Sequence, residues 1–216
     1  MLAQIVLFDG FDPMDVIAPY EVLFAGGQVA GGALTVELVS AEGAREVPSG
    51  TGGLSLKATA ALDPSRADLV VVPGASGPID TGAEEDRIPA ILGRTLDTGL
   101  PTLLKEACDR PGLTMATVCG GAVVLAMAGL IEGRHATTHH LGLDLLDATG
   151  VHVVDARVVD DGDLVTGAAV TSGLDLGLYL LEREVGPRVA HAVEKLFAYE
   201  RRGVVWRADG VSPVAV

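Results

Sequence analysis

The stretch from Leu113 to Leu130, LTMATVCGGAVVLAMAGL, limits what this chain can fold into more than any other. Its first part, Leu113 to Val118, is short, apolar and β-branched, the composition of a strand buried on both faces of a parallel sheet. Gly120 and Gly121 allow an abrupt turn, and Ala122 to Leu130, rich in Ala, Leu and Met, has the composition of a buried helix. Between strand and helix sits one nucleophile-type residue, Cys119. Strand, nucleophile, glycines and helix in that order predict a nucleophile elbow, with the side chain held on a strained turn over helix N-terminal amides.

Cys119 itself has two readings. Most free cysteines are small buried hydrophobes, whereas one at a helix N-terminus is expected to be reactive, because the amides there favour the thiolate. Lowering the thiol from about 8.5 to near 5 raises the thiolate share at neutral pH roughly thirtyfold, worth about 2 kcal/mol. That gain does not suffice alone, so a partner is expected elsewhere in the chain. Thr117 stands where the hydrolase form of the elbow carries glycine, and only the downstream Gly121 of that pattern is kept.

The chain has 216 residues, enough for one sizeable core, so one domain is expected over residues 1–202 with residues 203–216 as a C-terminal tail. A net charge of −14 argues against nucleic-acid or anionic-membrane binding, which need clustered Lys and Arg. The two cysteines, Cys108 and Cys119, form no CxxC motif and no disulfide framework. The N-terminal MLAQIVLF lacks a basic region and a cleavage site, and no apolar run is long enough to span a bilayer. A reducing, cytoplasmic setting is therefore expected.

In chain order, Leu2 to Phe8 reads as a strand and Asp9-Gly10 as a turn. Asp12 is placed to cap a helix with Pro13 at its first position, and this helix is expected to be kinked at Pro19 and to end at Gly26-Gly27. Leu34 to Ser40 is a second strand, Val47 to Ala58 a hairpin about Thr51-Gly52-Gly53, and Asp68 to Val72 a third buried strand ending in Pro73-Gly74-Ala75. Glu84 to about Ala107 reads as helix interrupted near Thr98 to Pro101, with the acidic run Glu84-Glu85-Asp86 at its start. After the elbow come a short strand at 136–138, a helix at 140–149, a hairpin at Asp160 to Asp163, a helix at 171–185 capped by Thr171 or Ser172, and a last helix at 189–201. Alternation of this kind predicts a flavodoxin-like α/β fold, a doubly wound, mostly parallel sheet with helices on both faces. Ligands in such sheets bind beyond the strands' carboxyl ends, where residues 9–15, 74–77 and 119–121 should converge.

Several residues there carry chemistry on one reading and structure on another. Asp15, three residues after the Asp12 cap, either satisfies a first-turn amide or hydrogen-bonds the Cys119 sulfur, with its own pKa raised so that it serves as acid and base. The Pro73-Gly74-Ala75 segment is either a plain turn or, with Gly120, a source of amides for negative charge. His139 is either a base for the thiol or the cap of the following helix. The pair His139-His140 with Cys119 does not suggest metal, since neighbours on a strand face opposite sides. Cys108 reads as structural.

The segments FDPMDVIAPYEVL, VVVPGASG, ATVCGGAVVLAMAGLIEGRHATTHH and DGDLVTGAAVTSGLDLGLYLLE together resemble the ThiJ/PfpI family of the glutamine amidotransferase-like superfamily, across roughly residues 2 to 200. Within it they are most like the isocyanide hydratase branch: the first motif carries Asp15 rather than Glu, followed by Ala18-Pro19, and an AGL helix end precedes the RHATTHH segment. The resemblance implies a homodimer acting on a small molecule without a cofactor. It implies Cys119 as nucleophile with Asp15 as acidic partner, substrate-side contacts from Gly74, Ala75, Gly120 and His139, and the Gly167 to Thr171 turn beside the cysteine. Two positions depart from the pattern: Gly120 replaces the Thr usual after the nucleophile, and Pro73-Gly74-Ala75 replaces PGG.

The activity this implies is hydration of an isocyanide to an N-substituted formamide. Cys119 attacks the terminal carbon, Asp15 protonates it, and water activated by the same carboxylate hydrolyses the thioimidate. The alternatives are a glyoxalase- or deglycase-like reaction on small dicarbonyls and a non-catalytic ligand- or redox-sensing domain.

Overall fold

The computed structural model describes residues 1–78 and 83–211. In chain order the elements are β1 (Leu2–Leu7), α1 (Pro13–Val29), β2 (Thr35–Ser40), β3 (Arg45–Pro48), β4 (Ser55–Ala58), β5 (Ala60–Ala61), β6 (Leu69–Val72), α2 (Ile88–Arg94), α3 (Leu100–Asp109) and β7 (Thr114–Val118). They continue with α4 (Gly121–Met127), β8 (His135–Ala136), α5 (Leu143–Asp147), β9 (His152–Val153), β10 (Val158–Asp160), β11 (Leu164–Gly167), α6 (Ser172–Glu184), α7 (Pro187–Phe197) and β12 (Trp206–Arg207).

The main sheet runs β12-β10-β11-β7-β6-β1-β2-β5, and every pair in it is parallel except β10 with β11. This is the flavodoxin-like α/β arrangement. Helices α1, α6 and α7 pack on one another, and α2 packs on α4. The central strands are buried along their whole length, which is why they read as unbroken apolar runs. β3 and β4 form the expected hairpin as a separate two-stranded sheet.

The Asp12 carboxylate caps α1, accepting the Met14 amide at 2.8 Å, and Pro13 opens the helix as expected. The predicted stop at Gly26-Gly27 is wrong: the helix continues to Val29 with Pro19 inside it. Those glycines serve close packing instead, since a Cβ on Gly26 would lie 2.3 Å from Leu181 Cδ2 of α6. The chain reverses at Gly31, whose φ is 65°.

Neither candidate cap of α6 acts as one. The Thr171 hydroxyl accepts from Arg157 at 3.0 Å, and the Ser172 hydroxyl is buried without a partner. The elbow helix ends at Met127 and the last helix at Phe197, both earlier than the sequence pattern suggested, the latter on left-handed Ala198 (φ 50°). Within the stretch assigned to a tail, β12 pairs with β10, and the Trp206 ring lies 5.0 Å from that of His135.

Candidate active site

The carboxyl ends of β1, β6 and β7 bring three loops together. Cys119, between β7 and α4, has φ 53°, the left-handed conformation of a nucleophile elbow. For a residue with a Cβ this costs roughly 1–2 kcal/mol, and two hydrogen bonds hold it. The Cys119 amide donates to Gly167 O at 3.0 Å, and the Thr138 hydroxyl donates to Cys119 O at 2.6 Å. The first places the Gly167 turn of β11 beside the cysteine, as the resemblance implied.

Asp15 lies behind the sulfur. It has no solvent exposure, and its Oδ2 accepts the Gly74 amide at 2.9 Å. It is near enough to Cys119 for its charge to act on the thiol, and among the described residues Oδ1 has no hydrogen-bond partner. Asp15 therefore does not cap its own helix; its amide partner lies across the crevice. Gly74 has to be glycine there, because a Cβ would stand 2.5 Å from the Gly120 nitrogen and 2.8 Å from Asp15 Oδ2.

The electrostatics reverse one expectation. Burial first, and then the charge of Asp15, push the Cys119 thiol far above an ordinary cysteine; the Gly120 amide pulls downward and is outweighed. The lowering expected at a helix N-terminus fails because the sulfur is desolvated and faces a carboxylate. The Asp15 carboxyl is also raised well above the usual range, by burial and then by the charge of Asp12, against the Gly74 amide and the thiol. Burial makes both groups resist ionising, Cys119 further because it faces Asp15, so the two titrate as a coupled pair.

Cys119 is 7% exposed, and it lines a cavity of about 480 Å³ with a largely apolar wall that includes Ile88, Pro89, Leu92, Val123, Leu145 and Val170. That volume suits a small organic molecule. Ala75, Gly120 and His139 line the same cavity, whereas Gly74 and Asp15 do not. Two expectations are corrected here. Gly74 cannot offer its amide to a ligand, because Asp15 holds it. Asp15, sealed behind the sulfur, is not placed to activate a water in the cavity.

Among the described residues the Ala75 amide donates to no acceptor. His139 accepts the Leu141 amide on Nδ1 at 3.2 Å, so its neutral ring carries the proton on Nε2 and presents a donor rather than a base. Burial and then His140 lower its pKa, which keeps the ring neutral. The His139 and His140 rings lie 4.2 Å apart at the start of a 3-10 turn, not on opposite sides of a strand. Among the described residues no group of three or more His, Cys, Asp or Glu is arranged to hold a metal ion.

Two contributors escaped the sequence reading: Thr138 holds the elbow carbonyl, and Leu92 fills the space beside Gly120. Asp12, within the 9–15 segment expected at the strand ends, lines the cavity as well as capping α1. Only Thr138, next to His139, had a neighbour that drew attention.

The chain belongs to the DJ-1/PfpI family, whose model matches residues 1–183. It is 32% identical over 195 residues to the isonitrile hydratase of Pseudomonas putida, covering 90% of this chain and 76% of that protein. To the HTH-type transcriptional regulator CdhR of Pseudomonas aeruginosa it is 28% identical over 199 residues, 91% of this chain but 54% of the regulator. To a deglycase of Pyrococcus abyssi it is 27% identical over 169 residues, 77% of this chain and 89% of the deglycase. In fold it matches a THiJ/PfpI family protein from Pseudomonas syringae with a TM-score of 0.75 at 24% identity, covering 94% of this chain and 76% of that one.

Proposed function

We propose that this protein hydrates an isocyanide, R–NC, to the N-substituted formamide, with Cys119 as nucleophile and Asp15 as its proton carrier. The observation that carries this reading is the buried Asp15 carboxyl set against the Cys119 thiol at one end of an apolar cavity. The likeness to an isonitrile hydratase supports it. Asp15 accepts the thiol proton as sulfur attacks the terminal carbon of the isocyanide. The protonated carboxyl then returns that proton to the carbon, leaving a thioimidate, S–CH=N–R. Raised proton affinities on these two neighbouring groups suit such an exchange. The Ala75 amide and the His139 Nε2–H are the donors available to the nitrogen end.

A glyoxalase- or deglycase-like reaction on small dicarbonyls is the second reading; the likeness to a deglycase and the presence of His139 in the cavity favour it. It requires a base, and the Leu141 amide on Nδ1 weighs against His139 in that role. A sensing role rests on the likeness to a regulator of which this chain matches about half. The reaction is assigned to the cytoplasm, where both free cysteines stay reduced. It is assigned to a homodimer, for which the exposed Met14, Ile17 and Phe24 on α1 offer a contact surface.

The test is formamide production from cyclohexyl and p-nitrophenyl isocyanide, with methylglyoxal consumption run in parallel. Turnover of an isocyanide that disappears in Cys119→Ala is the expected result. Methylglyoxal consumption without isocyanide turnover, lost in His139→Ala but kept in Asp15→Asn, would transfer the assignment to the second reading.

A further inference from the structure

The hydration scheme has a second half, in which water must attack the thioimidate, and the group that activates this water is not Asp15. Asp15 is fully buried, absent from the cavity wall and held by the Gly74 amide. His139 faces the cavity but holds its acceptor nitrogen against the Leu141 amide. The Thr138 hydroxyl is bound to Cys119 O, the Ser76 hydroxyl lies 3.2 Å from that of Thr51, and neither hydroxyl is a base at neutral pH. One carboxylate is left on the wall among the described residues, that of Asp12.

Resting on the hydration reading, we propose that Asp12 is a second catalytic carboxylate, the general base that takes a proton from the hydrolytic water while Asp15 serves the sulfur. Asp12 is half-buried and lines the same cavity as Cys119. Its capping bond uses Oδ1 alone, at 2.8 Å from the Met14 amide, and no other donor reaches the carboxylate among the described residues. Its own amide donates to Gly74 O at 2.9 Å, which fixes the residue opposite the elbow. Its charge is close enough to raise both Asp15 and Cys119.

The step balances as follows. Water adds its oxygen to the thioimidate carbon as one water proton passes to Asp12, and Asp12 hands that proton to the imine nitrogen. The tetrahedral S–CH(OH)–NHR then collapses as its C–S bond breaks. The electron pair leaves with the Cys119 sulfur, the hydroxyl proton passes to Asp12 and from it to that sulfur, and the formamide departs. Net, one water joins one isocyanide and Cys119, Asp15 and Asp12 are regenerated. Asp12 is thus both helix cap and base, with one oxygen for each task.

The test separates those tasks. Asp12→Asn and Asp12→Ser keep a residue that caps as well as Asp, so α1 retains its start while the base is lost. Each variant and the wild type are mixed with cyclohexyl isocyanide and followed by intact-protein mass and by formamide release. The expected result is a variant that gains the mass of one isocyanide on Cys119 about as fast as wild type, yet releases formamide roughly 10²- to 10⁴-fold more slowly. Hydroxylamine, which attacks without a base, is expected to discharge the adduct. Release within a few fold of wild type would overturn the proposal. So would a folded variant that forms no adduct, since Asp12 would then act before or during attack. A wild type that makes no formamide removes the hydration reading, and the Asp12 proposal with it.

Discussion

Asp15 and Gly74, fifty-nine positions apart in the chain, meet at 2.9 Å, carboxylate oxygen to amide nitrogen, directly behind the cysteine of the elbow. That bond orients the carboxyl toward sulfur and removes an amide from the substrate side. It fixes the carboxyl that the hydration reading makes the proton carrier, and that carboxyl sets a pH dependence.

The folded protein holds a proton on Asp15 more tightly than the unfolded chain does, because burial raises its carboxyl pKa. Where the folded state binds more protons, stability falls as pH rises from the ordinary aspartate range near 4 toward the raised value. Asn carries no such titration. Asp15→Asn is therefore expected to match wild type below about pH 4 and to gain on it steadily toward neutrality, at a loss of about 10²- to 10⁴-fold in turnover. Urea midpoints at a series of pH values check this; a pH-independent difference would contradict it.

Cys119 holds a left-handed conformation that suits glycine better than alanine. Both Cys119→Gly and Cys119→Ala remove the nucleophile, yet the glycine variant is expected to be the more stable by about 1–2 kcal/mol. Thermal unfolding of the two proteins decides it, and an alanine variant of equal or greater stability would mean the elbow is unstrained.

A Cβ on Gly120 would approach Leu92 Cδ1 to 3.1 Å and Gly74 Cα to 3.4 Å. Gly120→Thr, which restores the residue usual in hydratases, is thus expected to cost about 1–3 kcal/mol through overpacking. Adding Leu92→Ala should return part of it, with the two effects departing from additivity by at least about 0.5 kcal/mol. Denaturation of both single variants and the double variant closes the cycle; simple additivity would separate the two residues.

Asp175, 3% exposed, accepts Arg157 Nε at 2.6 Å, the Tyr199 hydroxyl at 2.9 Å and the Arg202 amide at 2.7 Å. Truncation leaves the partly exposed Arg157 guanidinium without its carboxylate and frees the chain beyond α7. Asp175→Ala is expected to lose about 1–3 kcal/mol, measured by chemical denaturation, with the residual activity per folded molecule unchanged.

The sequence revealed what depends on neighbours in the chain. Strand, cysteine, glycines and helix are contiguous, so the elbow was legible from Leu113 to Leu130, and Asp12-Pro13 announced the start of α1. Contacts between distant segments were not legible. The Gly74 amide could be read as free only until Asp15 was seen to hold it, and Gly26-Gly27 read as a stop until Leu181 was seen packed against them. The thiol pKa went the opposite way for the same reason: a seven-residue helix supplies a local pull, whereas desolvation and a carboxylate from α1 arrive through the fold. Asp12 was legible as a cap and as part of the 9–15 segment at the strand ends, whereas its place on the cavity wall beside Cys119 needed three loops assembled.

A thiol held in its protonated form beside an acid is a poor target for peroxides and alkylating agents, which attack the anion. Burial and the charge of Asp15 favour the protonated sulfur in the empty site. On the hydration reading, an occupant of the cavity that draws the proton onto Asp15 would make the chemistry conditional on binding.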